Sequence, residues 1–284
     1  MVKQINLKTA LISAKPSFER FAALQEDILH SDAADIELHI NIESRLGLSF
    51  VFCLSTLPLL AKSQGKSIRM FCNSKSHLLF YRNGYISTND SNIDDDIAPQ
   101  LQQSSRIITD VNSIYTLVTE ITKDAPVRMS DDLAALFTSK AGEMYNNSIE
   151  HSCGQYVVGG KYYKNQKNTY CFACYDTGIG IPKKVRQHCG SSISELDAFK
   201  WAMKRGNSTA NTKAGVLIPR GLGLGLMRGF AKANEGKIRI CSGRILYTYN
   251  PKGGEQFFEL RHEFQGTLFE MDIIADNQHR YVLK

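Results

Sequence analysis

A chain of 284 residues, 43% hydrophobic and 22% charged, can bury the cores of two ordinary domains without a disulfide or metal staple, which sets it apart from disordered and disulfide-scaffold classes. No apolar run reaches the roughly 20 residues of a membrane helix. A net charge of +6 from dispersed basic residues gives no nucleic-acid stripe, and seven irregularly spaced cysteines argue for a reducing compartment.

The amino terminus, MVKQINLKTALISAKPSFERF, has scattered charges and no continuous apolar stretch before a small-residue cleavage site, so no signal peptide and a cytoplasmic location are expected. From Ile36 to about Ile86 the text alternates. IELHINI reads as a strand, LSFVFCLSTLPLLAKSQ as a helix with an apolar face, KSIRMFC as a second strand, and a polar helix start follows, giving a small β-α-β-α unit. NDSNIDDDIAPQLQQSS, from Asn89 to Ser105, is acidic and turn-rich and predicts an exposed connector.

The second half opens with VRMSDDLAALFTSKAGEMYNNSIEHS. Ser130 precedes two acidic residues and a periodic series of Leu133, Leu136, Phe137, Ala141 and Met144, so it predicts the N-cap of a helix of about five turns. On that helix Glu143, Asn147 and His151 share one face. Spacing alone favours a solvated helix edge over a site. Next, GQYVVGGKYYKN and TYCFACYD predict two antiparallel strands around a polar turn, and the second runs into DTGIGIP. Gly178 and Gly180 there let backbone amides approach a ligand closely. Pro182 to Arg220 is a long polar segment with one helical patch, ELDAFKWAMKRG, the length of a lid or loose loop. RGLGLGLMRGFAKANEGKIRI then feeds Gly221, Gly223 and Gly225 into a helix, and such a helix start is a natural anion site. RILYTYN, FFELRHE and GTLFEMDII predict further antiparallel strands.

Competing motifs fail on particular residues. GQYVVGGK has Gly160 where a phosphate-binding loop needs Lys, and GLGLGLMRG has Leu226 in place of the third glycine of a dinucleotide fingerprint, with no βαβ unit around it. Asp-Thr-Gly at 176–178 occurs once, whereas an aspartic protease needs two carboxylates. No G-x-S-x-G elbow supports a nucleophilic triad. Cys171 and Cys174 lie in a β-branched and aromatic run without a second pair at finger spacing, so they read as core and no metal is assigned to them.

Taken in order, GEMYNNSIEHS, DTGIGIP, RGLGLGL and GTLFEM resemble the helix-Asn box, the two glycine boxes and the final Gly-Thr strand of the GHKL ATPases, the superfamily of DNA gyrase, heat-shock chaperones, histidine kinases and mismatch-repair ATPases. The resemblance spans about residues 127–275 and implies an α/β (α+β) chain whose carboxy-terminal 127–284 is a two-layer sandwich with a long ATP lid. Before it would come a small α/β domain over 1–100 and a linker with a connecting helix over 101–126. The resemblance also implies ATP and Mg²⁺ as ligands. Asn147 would hold the metal, Asp176 would accept the adenine amine, and Gly178 and Gly180 would admit base and ribose. Gly221, Gly223 and Gly225 would cradle phosphate, Thr267 would lie near the adenine, and Arg220 would face the γ-phosphate, with Lys204, Arg205 and Lys213 as weaker candidates. Glu143 would be the catalytic base, orienting a water or a protein hydroxyl. His151 is expected beside the site and not as a phosphoacceptor.

The β-α-β-α segment resembles, on no single motif, a STAS-like domain of the anti-anti-sigma type, whose sheet and helix face bind proteins. Ser44 and Ser49 there are imaginable phosphorylation positions but read first as N-cap or surface serines. The His-acid dipeptide of a histidine kinase occurs here only as His262-Glu263, in a predicted strand, which disfavours that class. Three functional readings follow: Mg²⁺-dependent ATP hydrolysis or phosphoryl transfer to a protein, an ATP-gated interaction switch with little turnover, and a partner-binding module with a vestigial pocket, against which Asn147, Asp176 and the glycines speak. A protein partner or substrate is expected, a homodimer is compatible, and neither membrane nor nucleic acid is indicated.

Overall fold

The computed structural model describes residues 2–42, 46–72, 101–108, 157–164, 168–204, 206, 207, 209 and 223–274, with scattered positions between 116 and 148. Helices and strands mix in two small sheets, an α/β arrangement. The first sheet is parallel, with β1 (Val2–Leu7), β2 (Asp35–Ile40) and β3 (Ser67–Cys72) in the order β1-β2-β3, linked by α1 (Lys15–Leu29) and α2 (Leu48–Lys62). The expected unit beginning at Ile36 is β2-α2-β3; the helix start expected after it lies outside the described residues. Local sequence pattern marks out neither β1 nor α1. VKQINL alternates exposed Val2, Gln4 and Asn6 with residues turned inward, and its apolar content is too small to stand out alone. In α1, Pro16 opens the helix and Phe18, Phe21, Ala22, Leu24 and Ile28 bury one face.

The second sheet is antiparallel. It comprises β4 (Leu101–Ile108), β5 (Val157–Lys164), β6 (Thr169–Asp176), β7 (Lys237–Asn250) and β8 (Gly254–Ile274), ordered β4-β5-β6-β8-β7. The β5–β6 hairpin is where the alternation put it. FFELRHE and GTLFEMDII are one continuous strand, β8, and KIRI and RILYTYN are likewise one strand, β7. The pairing of the two shifts register between Ser242 and Ile245, an irregularity that both strands pass without breaking. The connector expected over Asn89–Ser105 gives up its last five residues to β4, which pairs from Leu101–Lys164 to Ile108–Val157. Among the described residues β4 is an edge strand with a neighbour on one side only, so a polar LQQSSRII suffices.

Chain positions described between 131 and 148 are helical (α3), and the Ala134 N–H donates to the Ser130 carbonyl at 2.9 Å as the first turn closes. Three helices follow: α4 (Ile181–Cys189), α5 (Glu195–Met203) and α6 (Gly223–Ala233). The segment expected to be a lid therefore begins as two helices, with Pro182, Val185, Ala198, Phe199 and Met203 buried. Ser194 caps α5 by accepting from the Asp197 N–H at 3.0 Å.

Layering follows from which faces are apolar. Residues of α3, α5 and α6, including Ala141, Tyr145, Phe199, Met203, Met227 and Ala231, pack with Tyr170, Phe172, Cys174, Phe269 and Met271 on one face of the antiparallel sheet. The opposite face, through Tyr175, Leu246, Leu260, Phe264 and Leu268, meets α1 and α2, which in turn carry the parallel sheet. Helix α2 is thus buried between two sheets. This accounts for its apolar character all round, where the sequence reading saw one apolar face. Phe264 stands at the junction, its ring 5.7 Å from that of Phe21 and 5.8 Å from that of Tyr175. Losing such a ring costs about 3–5 kcal/mol.

Candidate functional site

Strand alternation decides the direction of Asp176. Tyr170, Phe172 and Cys174 face α3, α5 and α6, so Asp176, two residues further on, continues that row at the end of β6. Its carboxyl is buried, and burial raises it from 3.8 to about 7. Hydrogen bonds work against that rise: the Gly178 N–H donates to Oδ1 at 3.0 Å, and Ser148 and the Thr267 backbone also contribute. A buried carboxyl poised near neutrality, beside backbone amides, can accept a hydrogen bond from an amino group presented by a ligand.

Helix α3 is held across the end of β6. The Tyr145 hydroxyl donates to the Ala173 carbonyl at 3.0 Å, and Ser148 Oγ lies 3.6 Å from Cys174 Sγ. Tyr145 and Ser148 were not among the sequence candidates. They follow the i, i+4, i+7 spacing along the face that Ala141 begins, a signal obscured by the more conspicuous Glu143–Asn147 pair. Glu143, Asn147 and His151 lie outside the described residues, as do Arg205, Lys213, Arg220 and Gly221. Lys204 is exposed at the end of α5.

After Asp176 the chain turns through Thr177–Gly180 into α4. Gly180 has φ +83°, and a Cβ there would sit 2.9 Å from Ser242 Oγ, so both conformation and space demand glycine. The Ile181 N–H donates to Ser242 Oγ at 2.8 Å, and Ser242 in turn donates to the Gly266 carbonyl at 3.0 Å. Thr267 is the register partner of Asp176 on β8, and its hydroxyl lies 3.0 Å from Ser242 Oγ. The structure therefore brings Asp176, Gly178, Gly180 and Thr267 together. Gly223 and Gly225 lie in the first turn of α6, inside the helix and not in a loop ahead of it, and α6 packs by Met227 and Ala231 on the same sheet face as Asp176.

No family model and no curated protein matches the chain. The geometry therefore carries the functional argument.

A polar cluster lies on the other side of the antiparallel sheet. Cys171, Glu270 and Asp272 place one ligand atom each within 4.8 Å of one another, a spacing that fits a metal ion. Arg239 pairs with Glu270 and, at 3.0 Å, with Asp272, so a guanidinium already supplies the positive charge. Glu270 is buried and also accepts from Ser49 and, at 2.9 Å, from Ser13, which ties the N-terminal unit to β8. Ser49 is accordingly neither N-cap nor surface residue. Gly47 caps α2, and the Ser49 side chain is sealed against Glu270. Ser44 lies outside the described residues. Among the described residues, no helix is long and apolar enough to cross a membrane.

Proposed function

We propose that this chain is a Mg²⁺-dependent ATP-binding protein of the GHKL type that hydrolyses ATP or transfers its γ-phosphate to a protein, in a signalling or regulatory role. The observation that carries the reading is Asp176: a buried carboxyl at a strand end, followed at once by a turn that only glycine can make at Gly180, with Thr267 as its cross-strand neighbour. Asp176 would accept the exocyclic amine of adenine. A guanine presents a carbonyl at that place and would set two acceptors against each other. Gly178 would leave room for base and ribose, Gly180, whose open side is filled by Ser242, would shape the turn that presents it, and Gly221, Gly223 and Gly225 would serve the phosphates at the start of α6. Asn147 would hold the metal, which would neutralise phosphate charge. Glu143 would orient the attacking water or protein hydroxyl and accept its proton, and Arg220 would offset charge on the γ-phosphate.

A second reading, an ATP-gated switch with little turnover, is favoured by the packing of the N-terminal unit directly behind the site. The helical face that a STAS-like domain would offer to a protein partner is covered by this chain's own β-sheet. A partner would then meet the opposite strand face, where Val2 and Phe71 are 45% and 44% exposed. The six described cysteines are free thiols, which supports a cytoplasmic setting.

Incubation of the full chain with γ-labelled ATP and magnesium, with and without host lysate, separates the readings. Label on free phosphate identifies an ATPase, and label on a protein identifies a kinase. Bound nucleotide without label transfer identifies the switch, and no nucleotide binding refutes ATPase, kinase and switch alike.

A further inference from the structure

The turn that carries Asp176 is tied from behind to helix α1. Gln25 sits in the middle of the buried face of α1, among Phe21, Ala22 and Ile28, and has no exposed surface. An apolar residue would satisfy packing at that position. A buried amide is tolerated only where its donors and acceptor are matched. Here they are. Gln25 Nε2 donates to the Tyr175 hydroxyl at 3.0 Å and to the Gln265 carbonyl at 3.3 Å, and Gln25 Oε1 accepts the Gln265 N–H at 3.0 Å. The Tyr175 hydroxyl donates to the same Gln265 carbonyl at 2.8 Å.

Gln265 carries the connection through the sheet. Its own side-chain Nε2 donates to the Gly178 carbonyl at 2.9 Å, in the turn beside Asp176. The next residue, Gly266, has φ +89° and lies so close to the Asp176 carbonyl that a Cβ would stand 1.9 Å from its oxygen. The Gly266 carbonyl accepts from Ser242, which also receives the Ile181 N–H at the far end of the turn. One dipeptide, Gln265-Gly266, thus fixes both ends of the turn, and Gln25 fixes that dipeptide.

We propose that Gln25 is a positioning residue for the nucleotide site, which sets the Thr177–Ile181 turn through Gln265 and so couples the N-terminal unit to ATP affinity at Asp176. The inference rests on the ATP-binding reading given above. It makes α1 the element through which a protein bound to the N-terminal unit alters nucleotide affinity, and by reciprocity through which nucleotide alters affinity for that protein.

The test follows the amide resonances of Gly178 and Gly180 in the full chain for wild type, Gln25→Leu and Gln265→Ala. Magnesium-ATP affinity is measured by calorimetry on the same samples, and a thermal melt serves as the fold control. Gln25→Leu is expected to move the Gly178 resonance, although Gln25 does not touch that residue, and to weaken affinity about tenfold. Gln265→Ala should weaken it similarly, and the double variant should be no weaker than the worse single one, because both changes break one connection. A folded Gln25→Leu protein with unchanged Gly178 resonance and affinity overturns the proposal, as do losses that add in the double variant. Should Gln25→Leu not fold, Gln25→Met, which keeps the length of the side chain while removing the amide that holds Gln265, decides by the same readouts. Absence of ATP binding by the wild type overturns the nucleotide reading, and the Gly178 resonance then decides the positional link by itself.

Discussion

Replacing Asp176 with asparagine removes a charge from a buried site while keeping its shape. In the free protein, burial raises the carboxyl from 3.8 to about 7. At about 1.4 kcal/mol for each pKa unit, that difference corresponds to about 4 kcal/mol set against the ionised form. The unfolded chain releases this proton near the ordinary value and the folded chain holds it until about 7, so the folded state binds more protons in between. This group therefore makes wild-type stability fall as pH rises from about 4 to about 7. The asparagine does not titrate, and its Oδ1 still accepts the Gly178 N–H. Urea unfolding without nucleotide should show the two proteins nearly equal near pH 4 and the variant more stable by about 4 kcal/mol near pH 8. ATP binding should be lost at the same time. With Oδ1 held by Gly178, the variant points its NH₂ at the incoming amine, and rotating the amide only moves the clash onto the Gly178 N–H. A stability gap that does not widen with pH refutes the account of the buried charge, and unchanged ATP affinity by calorimetry refutes the site.

Three further changes probe other parts of the molecule. Glu143→Ala should leave ATP affinity within about twofold and abolish phosphate release or transfer, because a base that acts only in the transition state adds nothing to ground-state binding; retained turnover would remove Glu143 from the mechanism. Gly266→Ala forces a Cβ against the Asp176 carbonyl at φ +89° and should cost about 3 kcal/mol or more in urea unfolding. A loss below about 1 kcal/mol would show that β8 can move away from the turn. Glu270→Ala leaves Arg239 with Asp272 alone and strips Ser13 and Ser49 of their acceptor; the expected destabilisation is about 3 kcal/mol, read from the denaturation midpoint.

Much of the carboxy-terminal half was legible from local pattern. The β5–β6 hairpin announced itself by alternation, the α3 start by Ser130 and its acidic followers, and the turn at Asp176 by its glycines, since each of these signals depends on a few neighbouring residues. The amino-terminal β1 and α1 gave weaker signals, because half of each faces polar surroundings. Helix α4 was hidden in a segment whose charged residues dominate although Pro182 and Val185 are buried. Ser49 looks locally like a helix-start or surface serine, because a sequence does not show which carboxylate will arrive from 221 residues away.

The sequence by itself determined the pairing periods, the turn chemistry and the chemical identity of Asp176, all consequences of backbone sterics and side-chain type over short spans. Only the tertiary structure decided that α1 and α2 lie between two sheets, that Gln25 reaches Gln265 across 240 residues, and that burial brings Asp176 to about 7. Those depend on which surfaces exclude water together, and desolvation is a property of the assembled layers that no local stretch of chain contains.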